Sequence, residues 1–418
     1  MARSIASRRA ARRADLQVES LDGRLLLSVS NLPVVGPTYP NDPQFNQQWG
    51  LNSPSDIDVD APEAWTVTTG SPSTIVAVID SGVDLRNPDL VGRLWVNPAA
   101  SRRGKIVYGW NFVNNNGNVQ DQFGHGTHVA GVIAAAADNR KGVVGLDWNA
   151  RIMPLRTLAA DGSGTLENAV AAIRFAVDNG ARVINASWGS DLPDDDLYNA
   201  IAYADQKGVV FVTAAGNDGV NSDVVPIYPA AYHLPNVLVV AAVDPAGNLA
   251  SFSNYGLHSV DLAAPGVTIY STYPPRTYGL LSGTSMAAPY VTGVVSLLVG
   301  LHPDWSAEQL VQQVLATVKP LPGLTGKTVT GGIVDAAQAV GVSGSGPHGD
   351  QYVSLPLTTH KIATRSAAIP RTPGRRAQSQ AAAFLPARST ALVARPERAG
   401  ARQARPAWRG GVRVSASA

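Results

Sequence analysis

Four polar residues stand where nucleophilic chemistry could take place. Asp80 ends the apolar run of residues 75–79, His125 opens a small-residue segment, Asn217 follows another apolar run, and Ser285 follows a glycine before an apolar helical pattern. A histidine can take a proton from a serine hydroxyl while an aspartate holds the imidazole in position. The free amides at a helix start favour negative charge near the serine oxygen. These residue types are those of nucleophilic catalysis.

Some of these residues also have simpler explanations. Aspartate often stabilises the turn after a strand, so Asp80 taken alone is better interpreted as a turn residue. His125 and His128 could bind a metal ion together, but no acidic residue stands near them at zinc-ligand spacing, and the chain has no cysteine. The segment Gly283–Pro289 does not read Gly-x-Ser-x-Gly, so the nucleophile elbow of α/β-hydrolases is absent.

Alternating strand and helix patterns must position these residues. Strands buried on both faces are predicted over residues 74–79, 182–185, 209–212 and 237–241, and helices over residues 127–137, 166–178, 197–206 and 286–301. Ser306 and Gln309 form a capping-box pattern that predicts one more helix. This alternation implies a parallel sheet with helices on both faces, so we expect one α/β domain of roughly 300 residues.

Charge and composition divide the 418 residues into three parts. Residues 1–40 begin with an Arg-rich segment, residues 41–341 hold the α/β domain, and residues 342–418, rich in Ala, Arg, Pro, Ser and Gly, are predicted to be a disordered tail. Residues 25–342 carry 15 Lys and Arg against 26 Asp and Glu, so this acidic body does not resemble a nucleic-acid-binding domain. The apolar runs fall short of the roughly 20 residues of a membrane-spanning helix, so we expect no membrane span.

Seven motifs in one order carry a resemblance to a known family. Between residues 76 and 289 they are VAVIDSGVD, HGTHVAG, NASWGS, TAAGN, SFSNYG, DLAAPG and SGTSMAAP. The sequence resembles the subtilisin-like serine proteases (subtilases) over residues 40–340, most of all their thermitase-like branch, which also shares the opening residues 40–51. The resemblance implies a three-layer α/β/α fold with a mainly parallel central sheet. It also implies a serine endopeptidase that acts through an acyl-enzyme.

The resemblance further implies roles for individual residues. Asp80, His125 and Ser285 match the catalytic triad, Asn217 matches the side-chain amide of the oxyanion hole, and His128 matches a packed second histidine. Substrate is expected to bind as an added β-strand and to place one side chain in a specificity pocket. The implied substrate-binding residues are Gly162, Ser163, Gly164, Ser187, Trp188, Gly189, Ala214, Ala215 and Gly216. The pocket floor is expected near Ile227, Tyr228 and Pro229, and without a charge in these segments the preference should be apolar or broad.

The same branch holds a structural calcium ion, and this sequence offers matching oxygen ligands. They are the side chains of Asp42, Asp89 and Asn139 and the backbone carbonyls of Ala136, Lys141 and Val143. Carboxylate, amide and carbonyl oxygens are the ligands that Ca²⁺ prefers. Asp42 could instead initiate a turn, and Asn139 could cap the preceding helix. A second calcium site of the branch corresponds to Asn111, Asn114 and Asn116, which carry no charge, so we expect that site to be weak or empty.

The amino-terminal residues give mixed indications of location. Residues 21–28 resemble a short motif at the start of many extracellular bacterial proteins, whereas the apolar stretch of an ordinary signal peptide is missing. We expect a secreted or cell-surface monomer that acts on polypeptides, binds no nucleic acid and has no prosegment of ordinary length before residue 40. Two alternatives stay open: an inactive relative that binds peptides, and a metallohydrolase that uses His125 and His128.

Overall fold

The computed structural model describes residues 36–101 and 107–342, together with the backbone of residues 413–416. Within these residues the helices are α1 (Ala61–Ala64), α2 (His125–Ala134), α3 (Leu166–Asp178), α4 (Asp195–Gln206), α5 (Thr284–Leu301), α6 (Ala307–Ala316) and α7 (Ala336–Ala339). The strands are β1 (Ile75–Asp80), β2 (Trp110–Asn111), β3 (Arg151–Arg156), β4 (Ser163–Thr165), β5 (Val183–Ala186), β6 (Trp188–Gly189), β7 (Val210–Ala214), β8 (Val237–Val243), β9 (Leu262–Pro265), β10 (Ile269–Tyr273), β11 (Thr277–Leu281), β12 (Lys319–Pro320), β13 (Gly332–Ile333) and β14 (Arg413–Ala416).

Nine strands form one sheet in the order β12-β13-β9-β8-β7-β5-β1-β3-β2. Each neighbouring pair in this sheet is parallel except β12 and β13. Parallel pairing brings the carboxyl ends of the adjacent strands β1, β5 and β7 to one edge, where catalytic groups of open α/β sheets gather. The residues that follow these three strands therefore become neighbours.

Strand β1 shows why helices cover both faces of the sheet. Successive side chains of a strand point to opposite faces. Val76 and Val78 belong to the core that also contains residues of α2, α5 and α6, whereas Ala77 and Ile79 belong to the core with α3 and α4. All four side chains are at most 1% exposed. The predicted three-layer α/β/α class with a mainly parallel sheet is confirmed.

The helices begin where the sequence offers capping side chains. Thr165 accepts a hydrogen bond from the Asn168 N–H before α3, and Asp194 accepts one before α4. Ser306 and Gln309 form the reciprocal hydrogen bonds of a capping box at the start of α6. These bonds satisfy amides that have no partner inside the helix. The helix predicted from the capping box is confirmed.

Helix α5 has the length and composition of a membrane-spanning helix. It has 18 residues with a mean hydropathy of 1.5, so the expectation that every apolar run is too short was wrong for this segment. However, 89% of the helix is buried inside the protein, where it packs against the sheet and α2. A helix surrounded by protein must be apolar on all sides, which explains the composition of α5.

A separate three-stranded sheet contains residues from the carboxyl-terminal segment. Strand β14 pairs antiparallel with β4 on one side and with β6 on the other. The prediction of a disordered tail over residues 342–418 is therefore wrong for residues 413–416, because it considered only apolar burial and not backbone pairing. Residues 343–412 and 417–418 lie outside the described residues, as do residues 1–35.

Candidate active site

Asp80 and His125 form a buried pair at the edge of the sheet. Asp80 is the last residue of β1, and His125 is the first residue of α2. The His125 Nδ1 atom lies 2.9 Å from each carboxylate oxygen of Asp80, and both residues are at most 2% exposed. Asp80 Oδ1 also accepts a hydrogen bond from the Ser81 N–H at 2.7 Å. A carboxylate in this position keeps the proton on Nδ1 and leaves Nε2 as the basic nitrogen.

The close contact between α2 and β1 depends on Gly126. A Cβ atom at this position would lie 2.3 Å from the Gly82 carbonyl oxygen and 3.0 Å from Asp80 Cβ. The Gly126 N–H also donates a hydrogen bond to Ser81 Oγ at 2.9 Å. The glycine after His125 is thus required for the first turn of the helix to reach the strand that carries Asp80.

Ser285 is the second residue of α5 and is fully buried. Its hydroxyl donates to the Ser187 carbonyl oxygen at 3.2 Å, and its own carbonyl accepts a hydrogen bond from Ser187 Oγ at 3.0 Å. The N–H groups of a first helical turn give that end of the helix a positive potential. This arrangement favours negative charge on an atom that is bonded to Ser285 Oγ.

A buried hydrogen-bond chain fixes Ser187. Asn185 Nδ2 donates to Ser187 Oγ at 2.9 Å, and Thr292 Oγ1 donates to Asn185 Oδ1 at 2.8 Å. All three residues are fully buried, and a satisfied buried network specifies one arrangement of its members. Sequence reasoning assigned no role to Asn185 or Thr292. The available signal was a polar residue at the buried end of β5 and another inside the apolar pattern of α5.

Asn217 is held by the residue that precedes the serine. Its Oδ1 atom accepts hydrogen bonds from the Thr284 N–H at 2.9 Å and from Thr284 Oγ1 at 2.8 Å. Thr284 Oγ1 in turn accepts one from the Gly216 N–H at 3.2 Å. The Asn217 Nδ2 atom is buried and makes no hydrogen bond within the described residues. Since such a donor is costly to leave unpaired, it indicates an acceptor from outside the protein.

The two segments expected to bind substrate backbone are strands that flank a third strand. Ser163 and Gly164 lie in β4, Trp188 and Gly189 form β6, and β14 lies between the two. Gly162, just before β4, has a φ of 78°, a left-handed conformation that favours glycine. The space between β4 and β6 therefore accommodates one extended chain.

The expected specificity pocket begins where β7 ends. Gly216 has a φ of 104°, and a Cβ atom there would lie 2.4 Å from Asn254 Nδ2. Asn254 Nδ2 donates to the Ala215 carbonyl oxygen at 3.1 Å, and Ala214 and Ile227 are at most 5% exposed. Sequence reasoning gave Asn254 no role, although it lies in the SFSNYG motif. Its amide fixes the backbone at Ala215, in the expected wall of the pocket.

His128 is fully buried beside β10 and β11. Its Nε2 atom lies 2.9 Å from the Ile269 carbonyl oxygen and 3.2 Å from that of Gly279, so this nitrogen carries the proton. Burial lowers the pKa of His128 to about 3. A nitrogen that donates its proton to a carbonyl cannot bind a metal ion at the same time. This geometry disfavours the metallohydrolase alternative.

The expected calcium ligands Asp42 and Asp89 lie together beside the loop of residues 136–143. The Asp138 N–H donates to Asp42 Oδ2 at 2.8 Å. Asn139 Nδ2 and the Val143 N–H donate to the two carboxylate oxygens of Asp89 at 2.8 and 3.1 Å. Burial raises the pKa of Asp42, and the charge of Asp89 raises it further. The two aspartates are 47 residues apart in the sequence, and the fold brings both of them to this loop.

Unsatisfied oxygens make this region suitable for a cation. Asp42 Oδ1 and Gln44 Oε1 are buried and accept no hydrogen bond within the described residues. Neither Asp42 nor Asp89 has a salt bridge to a described residue. A Cβ atom at Gly142 would lie 2.3 Å from Asp89 Oδ2, so the glycine keeps space beside that carboxylate. An oxygen set with two carboxylates fits Ca²⁺.

Two details of this region differ from the expected ligand set. Asn139 directs its nitrogen to Asp89, while its oxygen accepts the Lys141 N–H at 2.7 Å, so in this arrangement Asn139 orients Asp89. Gln44 was not predicted as a ligand, and nothing in its local sequence distinguishes it. Ala136 lies next to the site, because its N–H donates to the Asp89 carbonyl oxygen at 2.8 Å.

The three asparagines expected to replace a second calcium site stabilise a turn. Asn111 Oδ1 accepts the Asn114 N–H at 3.0 Å, and Asn111 Nδ2 donates to the Asn118 carbonyl oxygen at 2.7 Å. Asn116 Oδ1 accepts the Asn118 N–H at 2.8 Å. These side-chain oxygens are engaged in the turn, and the asparagines contribute no carboxylate to attract a cation.

An Asp–His pair and a helix-start serine at the carboxyl edge of one parallel sheet are typical of hydrolases that use a serine nucleophile. Residues 71–341 match the model of the Subtilase family, Peptidase S8. The chain belongs to this family and is a subtilisin-like serine endopeptidase, as the seven motifs predicted.

Individual relatives agree with this assignment. The chain is 41% identical to thermitase from Thermoactinomyces vulgaris over 302 residues, which cover 72% of this chain and 99% of that protein. It is 43% identical over 280 residues to a thermophilic serine proteinase from Bacillus sp. (strain AK1), covering 65% of each chain. Solved proteases from Pseudoalteromonas arctica PAMC 21717 superimpose with a TM-score of 0.64 at 31% identity, covering 72% of this chain and 98% of theirs. The predicted resemblance to the thermitase-like branch is confirmed.

Proposed function

We propose that the protein hydrolyses peptide bonds through a triad of Asp80, His125 and Ser285. The observation that carries the proposal is the buried contact of 2.9 Å between His125 and Asp80 at the sheet edge. Ser285, at the start of α5, lies at the same edge, because its hydroxyl donates to the Ser187 carbonyl oxygen after β5. Ser285 Oγ attacks the peptide carbonyl, and His125 Nε2 takes its proton and returns it to the leaving amine. Asp80 keeps the proton on Nδ1 and stabilises the imidazolium. Water then hydrolyses the acyl-enzyme by the same route.

Asn217 is proposed to stabilise the oxyanion of the tetrahedral intermediates. Thr284 binds Asn217 Oδ1 twice, which leaves the buried Nδ2 as a donor of fixed direction. A preorganised donor needs no reorientation when the charge forms, and this is why such groups lower the barrier. The backbone amide of Ser285 is the proposed second donor.

Substrate is proposed to bind in extended form between β4 and β6, with residues 214–216 forming a wall of its specificity pocket. Both strands offer backbone groups to a chain inserted between them, as the pairing of β14 supports. Added-strand binding draws affinity from the substrate backbone and specificity from side-chain pockets. No charged side chain stands in the pocket segments, so we propose an apolar or broad preference.

A structural calcium ion is proposed at Asp42 and Asp89, with the carbonyls of Ala136, Lys141 and Val143 and the side-chain oxygen of Gln44 or Asn139 as further ligands. When bound, the ion supplies positive charge that compensates two buried carboxylates. Asp42 belongs to the amino-terminal arm (residues 36–51), whereas Asp89 follows β1. A cation that they share would tie the arm down and stabilise the folded state.

The protein is proposed to act outside the cell as a monomer on polypeptides. The short motif at residues 21–28 supports export, and that motif lies outside the described residues. The absence of cysteine is compatible with any compartment.

Labelling with a fluorophosphonate probe tests the proposed chemistry. We expect one label per molecule on the wild type, none on Ser285→Ala, and loss of peptide hydrolysis on labelling. Peptide binding without any labelling would instead support the inactive peptide-binding alternative. Inhibition by a zinc chelator together with insensitivity to the probe would support the metallohydrolase alternative.

A further inference from the structure

The carboxyl-terminal strand β14 occupies the cleft assigned to substrate. Against β4, its register is Arg413 with Thr165, Val414 with Gly164 and Ser415 with Ser163. Against β6, Ser415 faces Gly189 and Ala416 faces Trp188. A strand with a partner on each side uses its backbone groups in both directions. The contact is therefore the one that the proposed function assigns to a substrate peptide.

The direction of β14 brings its carboxyl end toward the serine. Along β14 the partner in β6 changes from Gly189 to Trp188, which is one residue from Ser187. The Ser187 carbonyl oxygen accepts the hydrogen bond from Ser285 Oγ at 3.2 Å. The strand thus runs along the cleft toward the nucleophile.

Backbone pairing requires little of the sequence of β14. Antiparallel pairing with two strands needs an extended chain that can donate at every position, and residues 412–418 (VRVSASA) contain no proline. They also contain no acidic residue, whereas residues 25–342 carry 26 acidic against 15 basic side chains. The one charged side chain of this segment, Arg413, is opposite in sign to the acidic excess over residues 25–342.

We propose that the carboxyl-terminal residues of this chain are an in-cis peptide ligand of the substrate cleft and compete with substrate. The inference rests on the proposed function, because it assumes that β4 and β6 bind the substrate backbone. One strand fills the space between them, so the segment and a substrate cannot be bound together. The cleft is open to substrate only in the fraction of molecules from which the segment has dissociated.

The competition has a kinetic signature. A ligand on the same chain acts at an effective concentration of roughly 1 mM. If the segment binds the cleft with a Kd of about 0.1 mM, its removal should lower KM by about tenfold. The value of kcat should not change, since the segment is absent from the productive complex. The variant for this measurement ends at Gly410, and intact mass of the full-length enzyme confirms that its carboxyl terminus is present during the assay.

Binding to an inactive form separates this proposal from the catalytic one. In the Ser285→Ala background the probe is a synthetic peptide of residues 411–418, labelled with a fluorophore at its amino terminus. We expect the probe to bind about tenfold more tightly to the chain that ends at Gly410 than to the full-length chain. If neither active form hydrolyses peptides, the proposed function fails, and this arm still reports on the segment.

A matched pair of point variants tests the pairing in the full-length chain. Ser415→Pro removes a strand N–H and should reproduce the effect of truncation, whereas Ser415→Thr keeps the N–H and a strand-favouring side chain and should behave as wild type. Equal KM values and equal probe affinities for full-length and truncated chains would overturn the proposal. A fall in kcat or in melting temperature on truncation, with KM unchanged, would also overturn it and show that β14 is a structural strand.

Discussion

Replacing Asn217 by alanine tests whether one amide stabilises the transition state. The Asn217 Nδ2 atom is buried and makes no hydrogen bond within the described residues, so it contributes little to the free enzyme. Its removal should lower kcat by about 10²–10³, or about 2.7–4 kcal/mol, a range taken from subtilisin, which belongs to the same family. KM should stay within about threefold of wild type, because the donor acts on charge that exists only in the transition state.

Thr284 offers a graded version of the same test. Thr284→Val keeps the N–H bond to Asn217 Oδ1 but removes the hydroxyl bond of 2.8 Å. The loss of one of two anchors is worth about 0.5–1.5 kcal/mol, so kcat should fall by roughly 2- to 13-fold. Thr284→Ser keeps the hydroxyl and should restore activity.

Steady-state hydrolysis of a chromogenic peptide gives kcat and KM for each variant. Melting of the same substitutions in the Ser285→Ala background, where autolysis cannot occur, checks that the fold is intact. A loss that appears in KM alone, or a kcat of Asn217→Ala within threefold of wild type, would refute the proposed role of the amide.

Three other perturbations test the triad, the calcium site and a buried aspartate. Ser285→Ala and His125→Ala should each abolish nearly all turnover, and the double variant should lose little more, because the residues act as a unit; additive losses in peptide hydrolysis would contradict this. Chelation by EDTA should lower the melting temperature and speed autolysis, and Asp89→Ala should remove most of that sensitivity; an unchanged melting curve after complete metal removal would show that no ion binds. Burial raises the pKa of Asp147 from 3.8 to about 6. The contribution of Asp147 to the free energy of unfolding is therefore fully present below pH 3.8, where the group is protonated in both states. This contribution falls by about 3 kcal/mol as the pH rises through 6. Asp147→Asn in the Ser285→Ala background should flatten that part of the pH profile in guanidinium unfolding; a profile that keeps its slope would assign the effect to other groups.

The central sheet and its helices could be predicted because their signals are local. The strand predicted over residues 74–79 is observed as Ile75–Asp80, and the helix predicted over residues 166–178 is observed with the same bounds. A strand buried on both faces must be apolar throughout, and a helix that covers a sheet must repeat apolar residues at helical spacing. These requirements leave a pattern in the sequence whatever the distant partners are.

The side chains that orient the site could not be identified in this way. Thr284 binds Asn217 across 67 positions of the chain, and Thr292 binds Asn185 across 107. Gln44 lies beside residues 136–143 only because the fold brings the amino-terminal arm there, where the Gln44 N–H donates to the Gly142 carbonyl oxygen. A single polar residue in an apolar segment shows that a partner exists, since a buried polar group needs one. The identity of the partner depends on the completed fold.

Strand β14 is the most informative of the missed elements. An apolar pattern is expected only of a strand that buries side chains, and residues 413–416 were predicted to be disordered because they offer no such pattern. However, β4 and β6 each need a backbone partner on the side that faces the cleft, and an unpaired strand edge readily accepts any extended chain. In the proposed function this edge binds substrates of many sequences, so the same edge can also bind a segment of the enzyme itself. For residues 413–416 the unpaired edges of β4 and β6 therefore explain the strand, whereas the composition of the segment does not.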